Sequence, residues 1–300
     1  MNNLIPDVLL IIFESFSIHD LLSALQVNRH WCQVAIPLYW KAPFNYTSER
    51  SRAALRIYKL FLEESDVDRK KPLYDYPSFI KELNCKDLLI SEVDEMLPIL
   101  IKYEARLDTF IINFSSPGND RIYVEWTKSC YKPIFDSLVH IEISTPFLKN
   151  VVLQNLAENC TQLSHLDINL YDNRLDRFEG LFDYLNQYIS AQKHLLNLRL
   201  VFKRGDGEKL INVLRSKPKS FKRLELVGWN FYNVTWEWLK NCSNLDEFAI
   251  TSPAPKILSK IFEVTPYETI RTKYSNVNKI VTIHWHIKDG SKFYFHQDES

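Results

Sequence analysis

The apolar positions at the start of the chain are too continuous for a simple amphipathic helix. Six consecutive apolar residues, Val8–Phe13, follow Pro6, and a proline suits the first turn of a helix because its missing N–H costs no hydrogen bond there. At about 100° per residue, Leu10 and Ile11 fall outside the core-facing stripe. That stripe comprises Val8, Leu9, Ile12, Phe13 and Phe16. A short helix that is apolar nearly all round needs cover on more than one side.

Two further short helices are predicted before residue 40. Ser17 offers an N-cap oxygen, and Asp20 three residues later resembles a capping box with Asp in place of Glu, so the second helix begins near Ile18. This helix buries Leu21, Leu22 and Leu25. A third segment, Val27–Ala35, stops before Pro37. Helices this short cannot bury their apolar surface between themselves. Modules of this size are usually stabilised by disulfides, a bound metal or a partner.

The same positions resemble the F-box motif. The family pattern is roughly L-P-x-E-[ILV]-L-x-x-I-F, then a D-L pair, V-[CN]-[RK]-x-W and a closing L-x-W. Ile5 stands where the family's proline directly follows the leucine, and Pro6 comes one position later. The matching residues are Leu4, Pro6, Asp7, Val8, Leu9, Ile12, Phe13, Asp20, Leu21, Val27, Asn28, Arg29, Trp31, Leu38 and Trp40.

This resemblance implies docking on the Skp-type adaptor of an SCF ubiquitin ligase, and through that adaptor on a cullin. The residues that would form or support the contact are Leu4, Ile5, Pro6, Leu9, Ile12, Phe13, Leu21, Leu22, Val27 and Trp31. The alternative without a partner is that the three helices belong to the core of one larger domain.

A connector follows the first 44 residues. An amphipathic helical stretch is predicted from Ser48 to Glu64, and the charged run ESDVDRKKP then breaks the pattern up to Pro72. This break is interpreted as a solvated loop, with a hinge or a degradation signal as the alternatives. The predicted organisation is therefore an F-box at 1–44, a helical linker at 45–78 and a third region at 79–300.

The third region repeats a phrase of the form L-x-x-L-x-L. The phrase predicts a short strand with one buried face, and helical stretches are predicted between the copies at 92–103, 148–158, 178–190 and 208–214. Successive copies start about 28 residues apart on average, within or just beyond the 20–29 residues of leucine-rich repeats. Clear copies begin at Leu107, Leu138, Leu163, Leu195, Phe221 and Leu245, and weaker ones at Ile80 and Val277.

These copies predict an α/β fold. After the short all-α F-box we expect a degenerate leucine-rich-repeat solenoid, with parallel strands on one side and helices on the other. Cys160 and Cys242 each precede a phrase by three residues, which resembles the cysteine-containing repeats common behind F-boxes. An irregular α/β fold is the alternative.

The outward strand positions would line the concave face of such a solenoid and bind a protein target. The outward positions carry four acidic and two basic residues, the reverse of what a nucleic-acid binder needs, so we expect a protein partner and no nucleic acid. The predicted substrate-binding residues are His140, Glu142, His165, Asp167, Asn169, Arg199, Arg223, Glu225, Trp229 and Glu247.

Charge balance and cysteine content bear on the partners and the cellular location of the chain. The 37 basic and 37 acidic residues balance, so the chain has no global attraction to nucleic acid or anionic lipid. Five scattered cysteines without a Cys-x-x-Cys pair favour reduced thiols. The apolar start lacks a preceding basic residue and a cleavage site, and no stretch approaches the roughly 20 apolar residues of a membrane span. We expect a cytoplasmic or nuclear location and no membrane partner.

No motif for catalysis or cofactor binding stands out. The pair His284 and His286 lacks a third metal ligand, and Arg204–Gly207 lacks the remaining residues of a phosphate loop. The aromatic run Trp229–Trp238 is interpreted as core and loop residues, with a substrate pocket as the alternative. We therefore predict no catalytic residues, no metal and no cofactor.

The leading hypothesis is a non-catalytic substrate receptor for ubiquitin-dependent degradation. Its F-box would bind the adaptor, and its repeats would hold an unknown protein near a conjugating enzyme. The alternative is an F-box interaction scaffold that binds the adaptor without promoting ubiquitin transfer.

Overall fold

The computed structural model describes the chain in segments. They are residues 5–45, 48–61, 73–86, 88, 90–113, 132–145, 150–170, 181–206, 210, 214, 220–230, 244, 247–252, 281–286 and 292–293. The chain divides into two compact units, one formed by Met1–Ile111 with Pro133–Leu138 and the other by Ile112–Lys132 with Val139–Ser300.

The first unit is mainly helical. Two short strands, β1 (Glu82–Asn84) and β2 (Thr109–Asn113), pair in parallel, with Leu83 opposite Phe110. The helices are α1 (Pro6–Glu14), α2 (Ile18–Ala24), α3 (Arg29–Tyr39), α4 (Ser48–Lys59), α5 (Tyr76–Phe79), α6 (Ile90–Lys102) and a short α7 (Lys132–Phe135).

Local sequence signals set the ends of the first three helices. The predicted capping box is confirmed, since Asp20 N–H donates to Ser17 Oγ at 3.3 Å and Ser17 N–H donates to Asp20 Oδ2 at 3.2 Å. Asn28 Oδ1 caps α3 by accepting from Trp31 N–H at 2.8 Å. The prediction that this helix stops before Pro37 is wrong. The proline removes one donor, but the last turn continues through the bond from Trp40 N–H to Ile36 O at 3.1 Å.

Aromatic side chains pack the connector against the end of the three-helix module, residues 5–45. The rings of Trp40 and Tyr76 are 4.6 Å apart, and Tyr58 of α4 lies 5.9 Å from Trp40. Tyr58 is fully buried, and Lys59 pairs with Glu95 of α6 at 2.8 Å. The connector helix α4 is therefore part of the packed first unit. The charged run ESDVDRKKP, however, lies outside the described residues.

The backbone carbonyl of Lys41 accepts the hydrogen bonds that a preceding repeat would accept from β1. It accepts from Lys81 N–H at 2.8 Å and Glu82 N–H at 3.0 Å, where β1 begins. The carbonyl of Lys81 in turn accepts from Asp108 and Thr109 at 2.8 and 3.0 Å. The same paired bonds recur at later strands, with Val139, Ser164 and Leu196 as acceptors. Lys41, the residue after Trp40, thus accepts the hydrogen bonds at the start of β1 as Lys81, Val139, Ser164 and Leu196 do for the strands that follow them.

The second unit contains a parallel sheet in chain order. Strands β3 to β8 run parallel, each paired with the next, and β9 is antiparallel to β8. Its elements are β3 (His140–Thr145), α8 (Asn150–Asn159), β4 (His165–Leu170), α9 (Leu181–Ala191), β5 (Asn197–Asp206), β6 (Arg223–Asn230), β7 (Glu247–Ser252), β8 (Val281–His286) and β9 (Lys292–Phe293).

The repeated phrase is confirmed as the source of the buried face. Its apolar positions are aligned across neighbouring strands, for example Ile141 opposite Leu166 and Leu166 opposite Leu198. The phrase residues whose side chains are described are buried, including Ile80, Leu83, Leu107, Phe110, Leu138, Ile141, Ile143, Leu163, Leu166, Ile168, Leu195, Leu198, Leu200, Phe221, Leu224 and Leu226. The architecture is an α/β repeat solenoid with a six-stranded parallel sheet, as predicted.

Some of the sequence boundaries need correction. The three described helices between phrases begin and end within three residues of the prediction, whereas most of 208–214 lies outside the described residues. The last phrase was placed one residue early. Val281 is opposite Phe248, so Val281 holds the second phrase position, which a phrase starting at Val277 would give to Ile280. Asn278, a polar residue, then stands at the first position, which weakens the apolar pattern there.

Candidate protein-binding surfaces

The three-helix module has a small core. Its buried residues are Leu9, Phe13, Leu21, Ala24 and Ala35. The Phe13 ring lies 5.1 Å from Phe16 and 5.2 Å from Trp31, in an edge-on arrangement with the latter. These contacts fix the helices that carry the outer surface.

Large apolar side chains remain outside that core. Ile11 is 70% exposed and Val27 is 55% exposed. Residues spaced by three, four or seven share one side of a helix, so Ile5, Val8 and Ile12 lie together at the start of α1. We call the exposed set the apolar surface of the module: Ile5, Val8, Leu10, Ile11, Ile12, Leu22 and Val27. Exposed apolar surface on a small module is typical of a protein-binding site.

The structure divides the predicted adaptor-binding residues into two groups. Leu9, Phe13 and Leu21 are buried in the module core, and Trp31 is half-buried against Phe13. The three buried residues can support a contact only by holding the helices in place, whereas the accessible part of Trp31 can also touch a partner. Those on the outside are Ile5, Pro6, Ile12, Leu22 and Val27. Leu4 lies outside the described residues.

Three exposed residues of α1 were missing from the predicted site. They are Val8, Leu10 and Ile11. The sequence carried the signal, since Leu10 and Ile11 fall outside the core-facing stripe of the helix. Leu10 and Ile11 hold variable positions of the family motif, which motif matching passes over, whereas Val8 holds a fixed position that was predicted to face the core.

A second surface lies on the outward face of the sheet. Register places Glu142 opposite Asp167, Asp167 opposite Arg199, and Arg199 opposite Glu225. These four residues form one row across β3, β4, β5 and β6, which we call the ionic ladder. The predicted outward positions are therefore brought together here by strand pairing.

Arg199 joins the carboxylates on either side of it. Its Nη1 donates to Asp167 Oδ2 at 2.9 Å, and its Nε lies 3.1 Å from Glu225 Oε1. Arg223 approaches the other oxygen of Glu225 at 4.0 Å. The side chains of Asp167 and Glu225 are only 19% and 22% exposed, whereas that of Arg199 is 42% exposed. The arginine thus holds two partly shielded carboxylates in fixed positions.

Burial changes the electrostatics of the ladder. Desolvation raises the pKa of Asp167, and the hydrogen bond and charge of Arg199 offset only part of this rise. Asp167 Oδ1 is buried and has no hydrogen-bond partner among the described residues. The pKa of Arg199 is raised, because the hydrogen bonds and charges of Asp167 and Glu225 outweigh its own burial.

Two imidazoles border the ladder. His140 and His165 are opposite each other on β3 and β4, with their rings 5.7 Å apart. Burial lowers the pKa of His165, and the nearby His140 lowers it further. Ser164 Oγ lies 2.6 Å from His165 Nδ1.

The remaining positions predicted on the outward face of the sheet are only partly found there. Asn169 lies on the outward face beyond Asp167, and Arg223 lies beside the ladder on β6. Ser144 follows Glu142 by two residues on β3 and would face outward by alternation, but it is buried. Trp229 and Glu247 are strand residues whose side chains lie outside the description.

The described residues do not contain a group of three or more His, Cys, Asp or Glu side chains that could hold a metal ion. Across the same part of the chain, no helix combines the length and apolarity that crossing a membrane requires. No disulfide joins Cys32, Cys85 or Cys160 to another cysteine in the part of the chain that the structure describes.

Comparison with known proteins adds a remote similarity. No protein-family model matches the chain. The F-box/LRR-repeat protein 5 of Xenopus tropicalis is 22% identical over 275 residues, covering 82% of this chain and 40% of that protein. This chain thus spans less than half the length of that relative. A leucine-rich repeat-containing protein, LegL7 from Legionella pneumophila, matches at a TM-score of 0.38 and 13% identity, covering 71% of this chain and 76% of that one.

Proposed function

We propose that this chain, whose sequence similarity supports an F-box/leucine-rich-repeat family, is a non-catalytic substrate receptor of an SCF-type ubiquitin ligase. The three-helix module binds a Skp-type adaptor, and through it a cullin, while the outward face of the repeat sheet binds a protein target. The proposed location is the cytoplasm or nucleus, where thiols such as those of Cys32 and Cys85 stay reduced.

The observation that carries the proposal is the apolar surface of the module. Leu9 and Phe13 fill the core from one side of α1, yet Ile11 and Val27 stay largely exposed. Burying one large apolar side chain contributes about 1.5–3 kcal/mol, so several together supply strong binding after the rigid-body cost of association. The F-box/leucine-rich-repeat similarity supports a Skp-type adaptor as the partner that buries them.

The test is adaptor capture by a variant altered only on the surface. Ile11→Asp with Val27→Asp places two charges in the contact without touching the core, so we expect adaptor affinity to fall by about a hundredfold or more. The matched control is Leu60→Asp with Leu73→Asp, because both leucines are exposed and lie outside the module. Binding is measured with purified adaptor by calorimetry.

Unchanged adaptor binding by the folded Ile11→Asp, Val27→Asp variant would contradict the proposal. Ubiquitin transfer is read in a reconstituted ligase on any protein that the repeats hold. Adaptor binding without transfer would indicate the interaction scaffold instead.

A further inference from the structure

The ionic ladder carries more negative than positive charge. Glu142, Asp167 and Glu225 contribute carboxylates, and Arg199 contributes the one cation within the row. Arg223 lies beside the row and approaches Glu225 at 4.0 Å. A partner that carries positive charge is complementary to this surface, whereas an acidic peptide or a phosphate backbone meets like charge.

The order of charges along the ladder is as informative as their sum. Glu142 and Asp167 are neighbours at one end, Arg199 follows, and Glu225 closes the other end. Arg199 uses Nη1 and Nε for its two carboxylates, and no contact of Nη2 with the described residues is present. A guanidinium has five donors, so this half-exposed side chain can still donate to an acceptor on a partner.

The spacing of the ladder matches an extended chain laid across the strands. Neighbouring strands are about 4.8 Å apart, so the acidic pair at β3–β4 lies about 7 Å from Arg199, and Glu225 lies about 5 Å beyond it. An extended chain rises about 3.3 Å per residue and shows alternate side chains on one face, which gives about 6.6 Å between same-face positions. Three alternate side chains span about 13 Å, close to the roughly 12 Å of the ladder, so they can reach the acidic pair, Arg199 and Glu225 in turn.

We infer that the ionic ladder recognises an extended segment of the bound protein in which two Lys or Arg residues flank a neutral hydrogen-bond acceptor at alternate positions. The inference rests on the proposed role of the repeat sheet as the target-binding surface. Each basic side chain pairs with one acidic end, and the central acceptor receives a hydrogen bond from Arg199. Because Arg199 already holds Asp167 and Glu225, these carboxylates are ordered before the segment binds.

The experiment uses fluorescein-labelled peptides and the full chain without adaptor. The probe contains Lys-Ala-Asn-Ala-Lys, a spacing control of the same composition contains Lys-Lys-Ala-Asn-Ala, and a charge control contains Glu-Ala-Asn-Ala-Glu. At low ionic strength, fluorescence anisotropy should give an affinity for the probe about tenfold above the charge control and about threefold above the spacing control.

Isosteric variants assign the binding to the ladder. Asp167→Asn with Glu225→Gln keeps the shape and removes two charges, so the preference for the probe should disappear. Glu158→Gln with Asp183→Asn removes the same charge from exposed positions on α8 and α9, and the preference should remain. Circular dichroism melting shows whether each variant is folded. If the ladder double variant fails to fold, Glu142→Lys tests the β3 end alone and should weaken probe binding about fivefold.

Equal binding of probe and charge control would overturn the inference, and so would tighter binding of the acidic peptide. Equal binding of probe and spacing control would overturn the assigned register of the segment. Adaptor capture is measured on the same preparations, so a failure of the peptide preference is distinguishable from a failure of the proposed adaptor contact.

Discussion

The two candidate surfaces differ in what they offer a partner. The module presents apolar side chains such as Ile11 and Val27, whereas the sheet presents charged groups already paired with each other, centred on Arg199. One buried apolar side chain contributes about 1.5–3 kcal/mol, but a partly exposed ion pair contributes about 0.2–1 kcal/mol. We therefore assign tight, charge-independent association to the module and selective, weaker recognition to the ladder.

The two surfaces also depend on different parts of the fold. The apolar surface rests on three short helices around a core of five buried residues. The ladder rests on strand register, which the buried phrase residues fix because a one-residue slip would turn the apolar side chains outward. A core mutation in the module should therefore abolish its surface, while the ladder should tolerate single changes in one strand better.

The largest expected effect comes from Phe13→Ala. Truncating a buried phenylalanine costs about 3–5 kcal/mol, and the Phe13 ring contacts both Phe16 and Trp31. We expect loss of the module's unfolding transition and of adaptor binding, with the preference of the ladder for basic peptides retained. Denaturant unfolding followed by circular dichroism and tryptophan fluorescence measures this effect.

The control for this prediction is Leu73→Ala. Leu73 is 79% exposed, so its truncation should change the free energy of unfolding by less than about 0.5 kcal/mol. A Phe13→Ala variant that unfolds like the wild type would contradict the view that this small core supports the apolar surface.

The sequence predicted the repeat sheet well because its signal is periodic. Each phrase places three apolar residues at fixed spacing, and the copies from Leu83 to Leu226, whose side chains are described, are buried. The phrase near Val281 was misplaced because polar Asn278 occupies its first position. The cap formed by the Lys41 carbonyl could not be predicted from the sequence. Its hydrogen bonds come from the backbone N–H groups of Lys81 and Glu82, and any residue type can make such bonds.

The two candidate binding surfaces were only partly predictable, because burial and side-chain geometry depend on the fold. Motif matching treats Leu9 and Ile12 alike, yet only the fold decides that Leu9 is buried and Ile12 exposed. The ladder positions were predicted as outward by alternation, and strand pairing then placed Asp167 beside Arg199. Which carboxylate each guanidinium nitrogen contacts follows from side-chain geometry that alternation does not encode.

A smaller effect distinguishes the two regions by pH. Hydrogen bonds from Ser17 lower the pKa of Asp20 below its ordinary 3.8, so the contribution of Asp20 to stability is present above that value and is lost as the pH falls through the lowered pKa. Burial raises the pKa of Asp167 above 3.8, so its contribution is present below that value and is lost as the pH rises through the raised pKa.

Carboxyl-carbon NMR titration measures both groups in one sample, with Asp20→Asn and Asp167→Asn variants to assign the signals. We expect the Asp20 midpoint below 3.8 and the Asp167 midpoint above it. Midpoints on the same side of that value would remove this distinction between the module and the ladder.

The most direct test of the central claim is calorimetry of adaptor binding across salt concentration and temperature. If the apolar surface of the module holds the adaptor, the dissociation constant should change by less than about threefold between low and high salt, and the heat-capacity change should be clearly negative. A dissociation constant that rises more than about tenfold with salt, together with a heat-capacity change near zero, would contradict the account.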